Sequence, residues 1–342
     1  MKRLFCAVLC AVMLLTACTA PSQQNKRYNA TFLTLFDTVT TIVGFAESED
    51  AFRATAQSVH DELLTYHQLF DIYNSYDGIN NLKTINDNAG IAPVKVDRKI
   101  IDLLLDCKMY YEVTDGLVNV AMGSVLHLWH EARNDGIDDP LNARLPDAAA
   151  LQDAAAHMSM DSVVIDESAS TVFITDPDTR LDVGAIAKGW ATERAAKNAP
   201  EGLLISVGGN VRATGNKDED GTPWVVGIQD PDDAEKYLHS IYVYAGRGSV
   251  VTSGDYQRTY AVDGVLYHHI IDPATLYPAT LWRSVTIVCA DSGAADALST
   301  ALFLMDYEDG LALLAQFDAE AVWVAPDGTL KYSPGFEELI RT

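Results

Sequence analysis

Positive charge is what this sequence has little of: 24 lysines and arginines face 48 aspartates and glutamates, a formal net charge of −24. The deficit runs along the chain rather than sitting in one tail, which argues against a sequence-independent grip on nucleic acid phosphates. A polyanionic substrate would need a local helper such as a divalent cation. Cysteine is scarce too. Cys6, Cys10, Cys18, Cys107 and Cys289 include no CxxC pair and no nearby histidine at zinc spacing, so a structural zinc or a disulfide framework is not expected. The GxxxxGK[ST] phosphate loop, the GxGxxG fingerprint, HExxH and the GxSxG elbow are all missing, and the P-loop ATPase, Rossmann dehydrogenase, zincin and α/β-hydrolase readings fall with them. There is no tandem repeat and no low-complexity tract.

What is present is a globular composition, 48% hydrophobic and 21% charged. At the N-terminus Lys2 and Arg3 precede an apolar run over 4–15, too short to span a bilayer comfortably, and Leu15-Thr16-Ala17-Cys18 follows. Small residues directly before a cysteine read as a lipoprotein signal peptide over 1–17 with Cys18 as the lipidated residue. Residues 18–30 then hold that cysteine and a polar tether. The expectation is an exported chain, lipid-anchored to a membrane and facing the periplasm or the exterior.

Thr, Val and Ile over 38–45 predict a strand. A helix follows, because Phe52, Ala56, Val59, Leu63, Tyr66 and Phe70 recur at helical spacing behind the capping Ser48. Ile100, Leu104, Cys107 and Tyr111 mark a second helix, and 146–158 a third. From Asp161 the texture changes to short strands, expected at 162–166, 171–175, 203–207, 224–228, 240–244, 259–262, 265–271 and 284–288. Asp263-Gly264 signals a tight hairpin. Helical stretches at 185–198 and 291–317 interrupt this half, and Pro326-Asp327-Gly328 turns a last hairpin. The pattern is α+β, mainly antiparallel sheets with packed helices.

Four constellations can carry chemistry. In Leu181-Asp182-Val183-Gly184-Ala185-Ile186-Ala187-Lys188-Gly189 a strand end runs into a helix start, where free N–H groups and a lysine one turn in suit a phosphate. The same pattern also serves an ordinary helix start with a solvated lysine. Val207-Gly208-Gly209-Asn210 lets a ligand approach bare backbone, although most Gly-Gly pairs are simple turns. Asp296 and Thr300 are four apart, hence on one helix face, and two hard oxygen ligands there can hold Mg²⁺; such a pair is also common on plain surfaces. His268 and His269 end a strand before Asp272-Pro273, and since neighbours on a strand face opposite sides, one of them reaches a given site. His127 and His130 lack a third ligand at a recognised spacing and read as structural or surface residues.

Taken in order, these segments resemble the ApbE family of flavin transferases from about Thr31 to Val324. The resemblance rests on LDVGAIAKGWA at 181–191, GGN at 208–210, TSGDYQR at 252–258, HHIIDPAT at 268–275 and ADALST at 295–300. It implies an α+β domain over 31–342, two interleaved subdomains enclosing a flavin nucleotide site. It also implies Mg²⁺-dependent transfer of FMN from FAD to a Thr or Ser hydroxyl of an acceptor protein, with release of AMP. By motif position Ala185, through its carbonyl, Asp296 and Thr300 would bind Mg²⁺. Leu35, Tyr73, Val120, Ala121, Met122, Asp182, Lys188 and Ile270 would line the FAD, and His269 would be the catalytic base. The acceptor would carry an (S/T)GAT-type motif and be a membrane-associated redox subunit; the nearest stretch here, Ser292-Gly293-Ala294-Ala295, lacks the final hydroxyl. Two departures stand out: Leu276 replaces the glycine usual after DPxT, and Asn119-Val120-Ala121-Met122 replaces a more usual D(V/I)TV. An FAD pyrophosphatase and a flavin-binding lipoprotein without turnover are the rival readings.

Overall fold

The computed structural model describes residues 25–342; the signal segment 1–17 and Cys18 lie outside the described residues. Strands β1 (Lys26–Leu35) and β2 (Thr38–Ala46) form an antiparallel hairpin in which 26–30 already pair with 42–46. This shortens the tether expected over 18–30. Tyr28, Ala30 and Phe32 alternate along β1 and pack on the core, with the Tyr28 ring 5.7 Å from Phe52 and the Phe32 ring 4.4 Å from His60. The residues between them face away, so composition alone disguises the strand.

Helix α1 (Glu49–Phe70) starts at Ser48, whose side chain accepts from the Ala51 N–H, and its apolar stripe Phe52, Ala56, Val59, Leu63, Tyr66, Phe70 is buried throughout. The first half continues through α2 (Leu82–Asp87), β3 (Val94–Lys95), α3 (Arg98–Val113), α4 (Gly123–Asp138), α5 (Ala148–Ala155), β4 (Val163–Asp166) and β5 (Thr171–Ile174). The second half runs α6 (Ala187–Asn198), β6 (Leu203–Val207), β7 (Asn210–Ala213), β8 (Trp224–Asp230), β9 (Asp233–Val243), β10 (Ser249–Gly254), β11 (Tyr260–Val262), β12 (Val265–Tyr267), β13 (Ser284–Cys289), α7 (Ser292–Phe303), α8 (Tyr307–Leu314), β14 (Ala319–Val324) and β15 (Leu330–Tyr332).

The centre is an eight-stranded sheet in the order β1-β2-β6-β7-β10-β13-β14-β15, antiparallel at every pairing. Smaller antiparallel sheets, β3-β5-β4, β8-β9 and β11-β12, surround it. This is the α+β, mainly antiparallel architecture expected. The largest apolar cluster joins α1, α3, α6 and α7 to the sheet; a second, around Trp224, Ile241 and Phe336, includes β8 and β9, and a third gathers around Trp129, Tyr260 and Leu276.

Among the further elements that differ from expectation, three have a local physical cause. The helix expected over 291–317 is two helices, because the Asp306 side chain accepts from the Asp309 N–H and starts α8 afresh. The strand expected over 265–271 stops at Tyr267, where His268 turns its ring onto backbone partners. Strand β10 is polar yet central: Thr252 Oγ1 lies 2.8 Å from Thr286 Oγ1, and Ser253 Oγ lies 2.8 Å from Ser299 Oγ, so these hydroxyls satisfy one another inside the fold.

Candidate active site

One cleft of about 830 Å³ gathers residues from all four constellations: Asp182, Ala185 and Lys188, then Gly208 and Asn210, then Asp296 and Thr300, then His269 and Ile270. Residues far apart in sequence meet because the turn between β6 and β7, the start of α6, helix α7 and the segment after β12 all line it.

At the α6 start, Asp182 Oδ1 accepts from the Gly184 N–H at 2.9 Å and shapes the turn. Lys188 Nζ donates to the Gly184 carbonyl at 3.2 Å and stands 3.8 Å from Asp296 Oδ2. The Gly189 N–H donates to Asp296 Oδ2 at 2.8 Å, and among the described residues no backbone N–H donates to the Ala185 carbonyl. A helix start has thus given one of its own hydrogen bonds to a neighbouring helix and left a carbonyl free. Ala185, Asp296 and Thr300 all line the cleft, and a backbone carbonyl, a carboxylate and a hydroxyl are oxygen types that suit a hard cation.

Glycine at 189 is what lets α6 and α7 come this close. A Cβ there would stand 2.1 Å from the Ser292 carbonyl oxygen and 2.5 Å from Asp296 Cβ. Asp296 is 4% exposed. Burial raises its pKa above the usual carboxylate range, against the opposing pull of Lys188 and the Gly189 N–H.

The two histidines have separate duties. His268 is buried outside the cleft lining, its Nε2 donating to the Ala279 carbonyl at 2.8 Å and its Nδ1 accepting from the Ile270 N–H at 3.2 Å. His269 lines the cleft, with Nδ1 at 3.2 Å from the Gln257 carbonyl. A carbonyl only accepts, so Nδ1 carries the proton and Nε2 is the basic atom of the neutral ring. Burial pushes the His269 pKa down from 6.5 to about 3, and the charges of Arg258 and Lys188 push the same way.

Across the cleft, Tyr73 Oη lies 2.8 Å from His130 Nδ1, itself 3.9 Å from Asp182 Oδ2. His130 therefore departs from the structural or surface reading, whereas His127 fits it, pairing with Glu131 on the same helix at 3.2 Å. The loop carrying Tyr73 is pinned by Asp71, which accepts from the Tyr73 N–H at 2.7 Å and from the Tyr76 hydroxyl at 2.7 Å. Burial alone would raise the Asp71 pKa; these donors and Asn74 outweigh it and hold it low.

Of the expected flavin contacts, Tyr73, Met122, Asp182, Lys188 and Ile270 line the cleft. Leu35, Val120 and Ala121 do not: their side chains are sealed in the core. The Val120 carbonyl accepts from the Asp182 N–H at 2.8 Å, and the Ala121 N–H donates to Asn119 Oδ1 at 2.9 Å. These residues set the walls from behind. His130, Arg133 and Arg258 line the cleft without being expected there: in sequence His130 reads as structural or surface, Arg258 stands in the TSGDYQR motif with no role given, and Arg133 is not named. A signal existed for the first two, which are three apart on α4 and so share a face. A separate cluster, His157 with Asp176 and Asp178, lies away from the cleft, and its closest contact is a 2.7 Å hydrogen bond between His157 and Asp176.

Fold and cleft together define a mainly antiparallel α+β protein with one cleft lined by two guanidiniums, a lysine, carboxylate and hydroxyl side chains and an imidazole. Residues 36–323 match the ApbE family, and the chain is an enzyme of that family. It is 36% identical over 278 residues to the FAD:protein FMN transferase of Treponema pallidum, covering 76% of this chain and 75% of that one. It is 33% identical over 279 residues to an FAD:protein FMN transferase of Klebsiella pneumoniae, covering 78% of this chain and 83% of the relative. Among solved structures, the ApbE protein of Thermotoga maritima superposes with a TM-score of 0.81 at 30% identity over 93% of this chain and 100% of that one. The flavin transferase ApbE of Vibrio cholerae shares the fold, with a TM-score of 0.74 at 22% identity, over 92% and 99% of the two chains.

Proposed function

We propose that this chain transfers FMN from FAD to a Thr or Ser hydroxyl of an acceptor protein and releases AMP. The observation that carries this reading is a neutral His269, tethered at Nδ1 and basic at Nε2, in the same cleft as the Ala185, Asp296 and Thr300 oxygens. These three residues would hold Mg²⁺, which when bound would neutralise charge on the FAD pyrophosphate. The fit is supported by the free Ala185 carbonyl and the buried Asp296 carboxylate.

The chain's own residues supply the remainder. His269 Nε2 takes the proton of the acceptor hydroxyl; that oxygen forms a bond to the FMN phosphorus as the bond from phosphorus to the bridging oxygen breaks, and AMP leaves with the bridging oxygen. Lys188 places a cation beside the phosphates, and Tyr73 with Met122 and Ile270 offers aromatic and apolar walls to the flavin. The acceptor is another protein. The nearest acceptor-like stretch here, at 292–295, opens α7, where Ser292, Gly293 and Ala295 are buried. Its chemistry is that of an (S/T)GAT-type segment, and a membrane-associated redox subunit fits a chain lipidated at Cys18 and held at a membrane surface. The basic start and the Leu15-Thr16-Ala17-Cys18 box support that anchor.

The test is to incubate the soluble form, starting after Cys18, with FAD, Mg²⁺ and a protein bearing the acceptor motif, following acceptor mass and AMP. A mass gain equal to FMN with matching AMP supports transfer. AMP without labelling identifies a pyrophosphatase, and neither product identifies a flavin-binding protein.

A further inference from the structure

Two arginines line the cleft, Arg133 on α4 and Arg258 on the loop after β10. Neither has a carboxylate partner among the described residues; Arg212, Arg247 and Arg283 are paired, and exposed Arg27, Arg144, Arg180 and Arg341, which are also without one, lie outside the cleft lining. In a chain carrying 48 acids against 24 bases, these two guanidiniums stand at one cleft without a carboxylate, Arg133 half-buried and Arg258 exposed to the solvent from which an anion would arrive. Arg133 is pulled below the ordinary arginine range first by burial and then by the charge of Arg258.

Arg258 carries a second peculiarity. Its φ is 49°, in the left-handed region that a residue with a Cβ enters at a cost. The adjoining Gln257 carbonyl is the group that orients His269 Nδ1. One short segment thus aims the base and, a residue later, projects a guanidinium into the same cleft. The charge of Arg258 is felt at Tyr73, His130, His269 and Asp296, which come from four separate segments.

We infer that Arg258 is a further catalytic residue, a guanidinium that the strained loop after β10 holds against the phosphoryl group being transferred, where it stabilises the charge that builds as the pyrophosphate bond breaks. The planar fork matches phosphate oxygens two at a time, which a lysine ammonium does not. Its role is separate from that of the oxygen cluster around Asp296, which a cation would occupy. The inference rests on the transferase reading.

Arg258→Gly is the informative variant, because glycine accepts a φ of 49° without strain and the loop relaxes rather than breaks. The experiment measures AMP release under saturating Mg²⁺, FAD affinity by flavin fluorescence, and Tm, for wild type, Arg258→Gly and Arg258→Lys. The expected result is a fall in kcat on the order of 10³-fold in Arg258→Gly, as for other arginines acting on transferred phosphoryl groups. FAD affinity should change less than about tenfold, Tm should hold or rise, and added guanidinium ion should restore part of the rate. Arg258→Lys should stay impaired. Full kcat in Arg258→Gly, or a loss confined to FAD affinity, overturns the catalytic role and leaves the transferase reading standing. Wild-type protein that releases no AMP removes that reading and this inference with it.

Discussion

At the scale of single residues the cleft divides its chemistry by burial. His268 and His269 are adjacent, yet only His269 lines the cleft, because His268 spends both ring nitrogens on the backbone at Ala279 and Ile270. His269→Gln should keep the fold and lower turnover by about 10²- to 10⁴-fold, measured as AMP release at saturating FAD. In the wild type the rate should show no loss of an ordinary imidazole near pH 6.5. The base acts when deprotonated, and with a pKa of about 3 it stays so across the neutral and mildly acidic range. A rate that halves near pH 6.5 in the wild type and is flat in His269→Gln would contradict this. Asp296→Ala should remove turnover and the response to added Mg²⁺ together, a loss on the order of 10³-fold in kcat/KM in a Mg²⁺ titration. Leu276 shows how much strain a site's surroundings tolerate. At a position where glycine is usual in the family it adopts a φ of 64°, and its burial against Trp129, whose Nε1 donates to its carbonyl at 2.9 Å, compensates.

At the scale of elements, legibility followed periodicity. The α1 stripe could be read because a 22-residue amphipathic helix repeats its pattern many times. The Asp263-Gly264 hairpin could be read because both residues must adopt positive φ, which they do at 50° and 82°. Strand β10 could not, since its hydroxyls look exposed in sequence and find their partners only across the sheet and on α7. The approach of α6 to α7 was equally hidden, because it hangs on one missing Cβ. Gly189→Ala should push α7 away, cost roughly 1–3 kcal/mol by overpacking, and weaken Mg²⁺ dependence by moving Asp296. Thermal unfolding with and without Mg²⁺ checks both effects. An unchanged Tm with normal Mg²⁺ response would mean that the helices separate freely.

At the scale of the whole molecule, acid should weaken the fold. His130, His239, His268 and His269 all have pKa values lowered mainly by burial. Below pH 6.5 the unfolded chain binds protons that the folded chain refuses, so their contribution is lost as pH falls, for His269 over the window from 6.5 to about 3. Asp255 and Asp296 have raised pKa values and act with the opposite sign above 3.8, as does His157, raised by its hydrogen bond to Asp176, above 6.5, but they are fewer. Tm measured without Mg²⁺ should therefore decline between pH 7 and 5, and less steeply in His269→Gln. A Tm that rises over this range would refute the assignment. Anchorage belongs to this scale too. Among the described residues no helix is long and apolar enough to cross a membrane. Cys18→Ala should move the protein from the membrane to the soluble fraction in a fractionation experiment, and continued membrane pelleting would exclude lipidation at that residue.

The sequence by itself determined the α+β class, the long helix α1, the tight hairpin and the four segments whose residues line the cleft. Those features depend on local periodicity and on residue types with narrow backbone preferences, which can be read along a line. The tertiary structure decided that Leu35, Val120 and Ala121 stand behind the cleft rather than in it, that His269 rather than His268 enters it, and that His130, Arg133 and Arg258 belong to it. It also decided that the Ala185 carbonyl is free, because the Gly189 N–H turns to a carboxylate 107 residues further along the chain. Burial, pKa and the partner of a buried polar group are set by atoms distant in sequence, and only the packed sheet and helices bring them together.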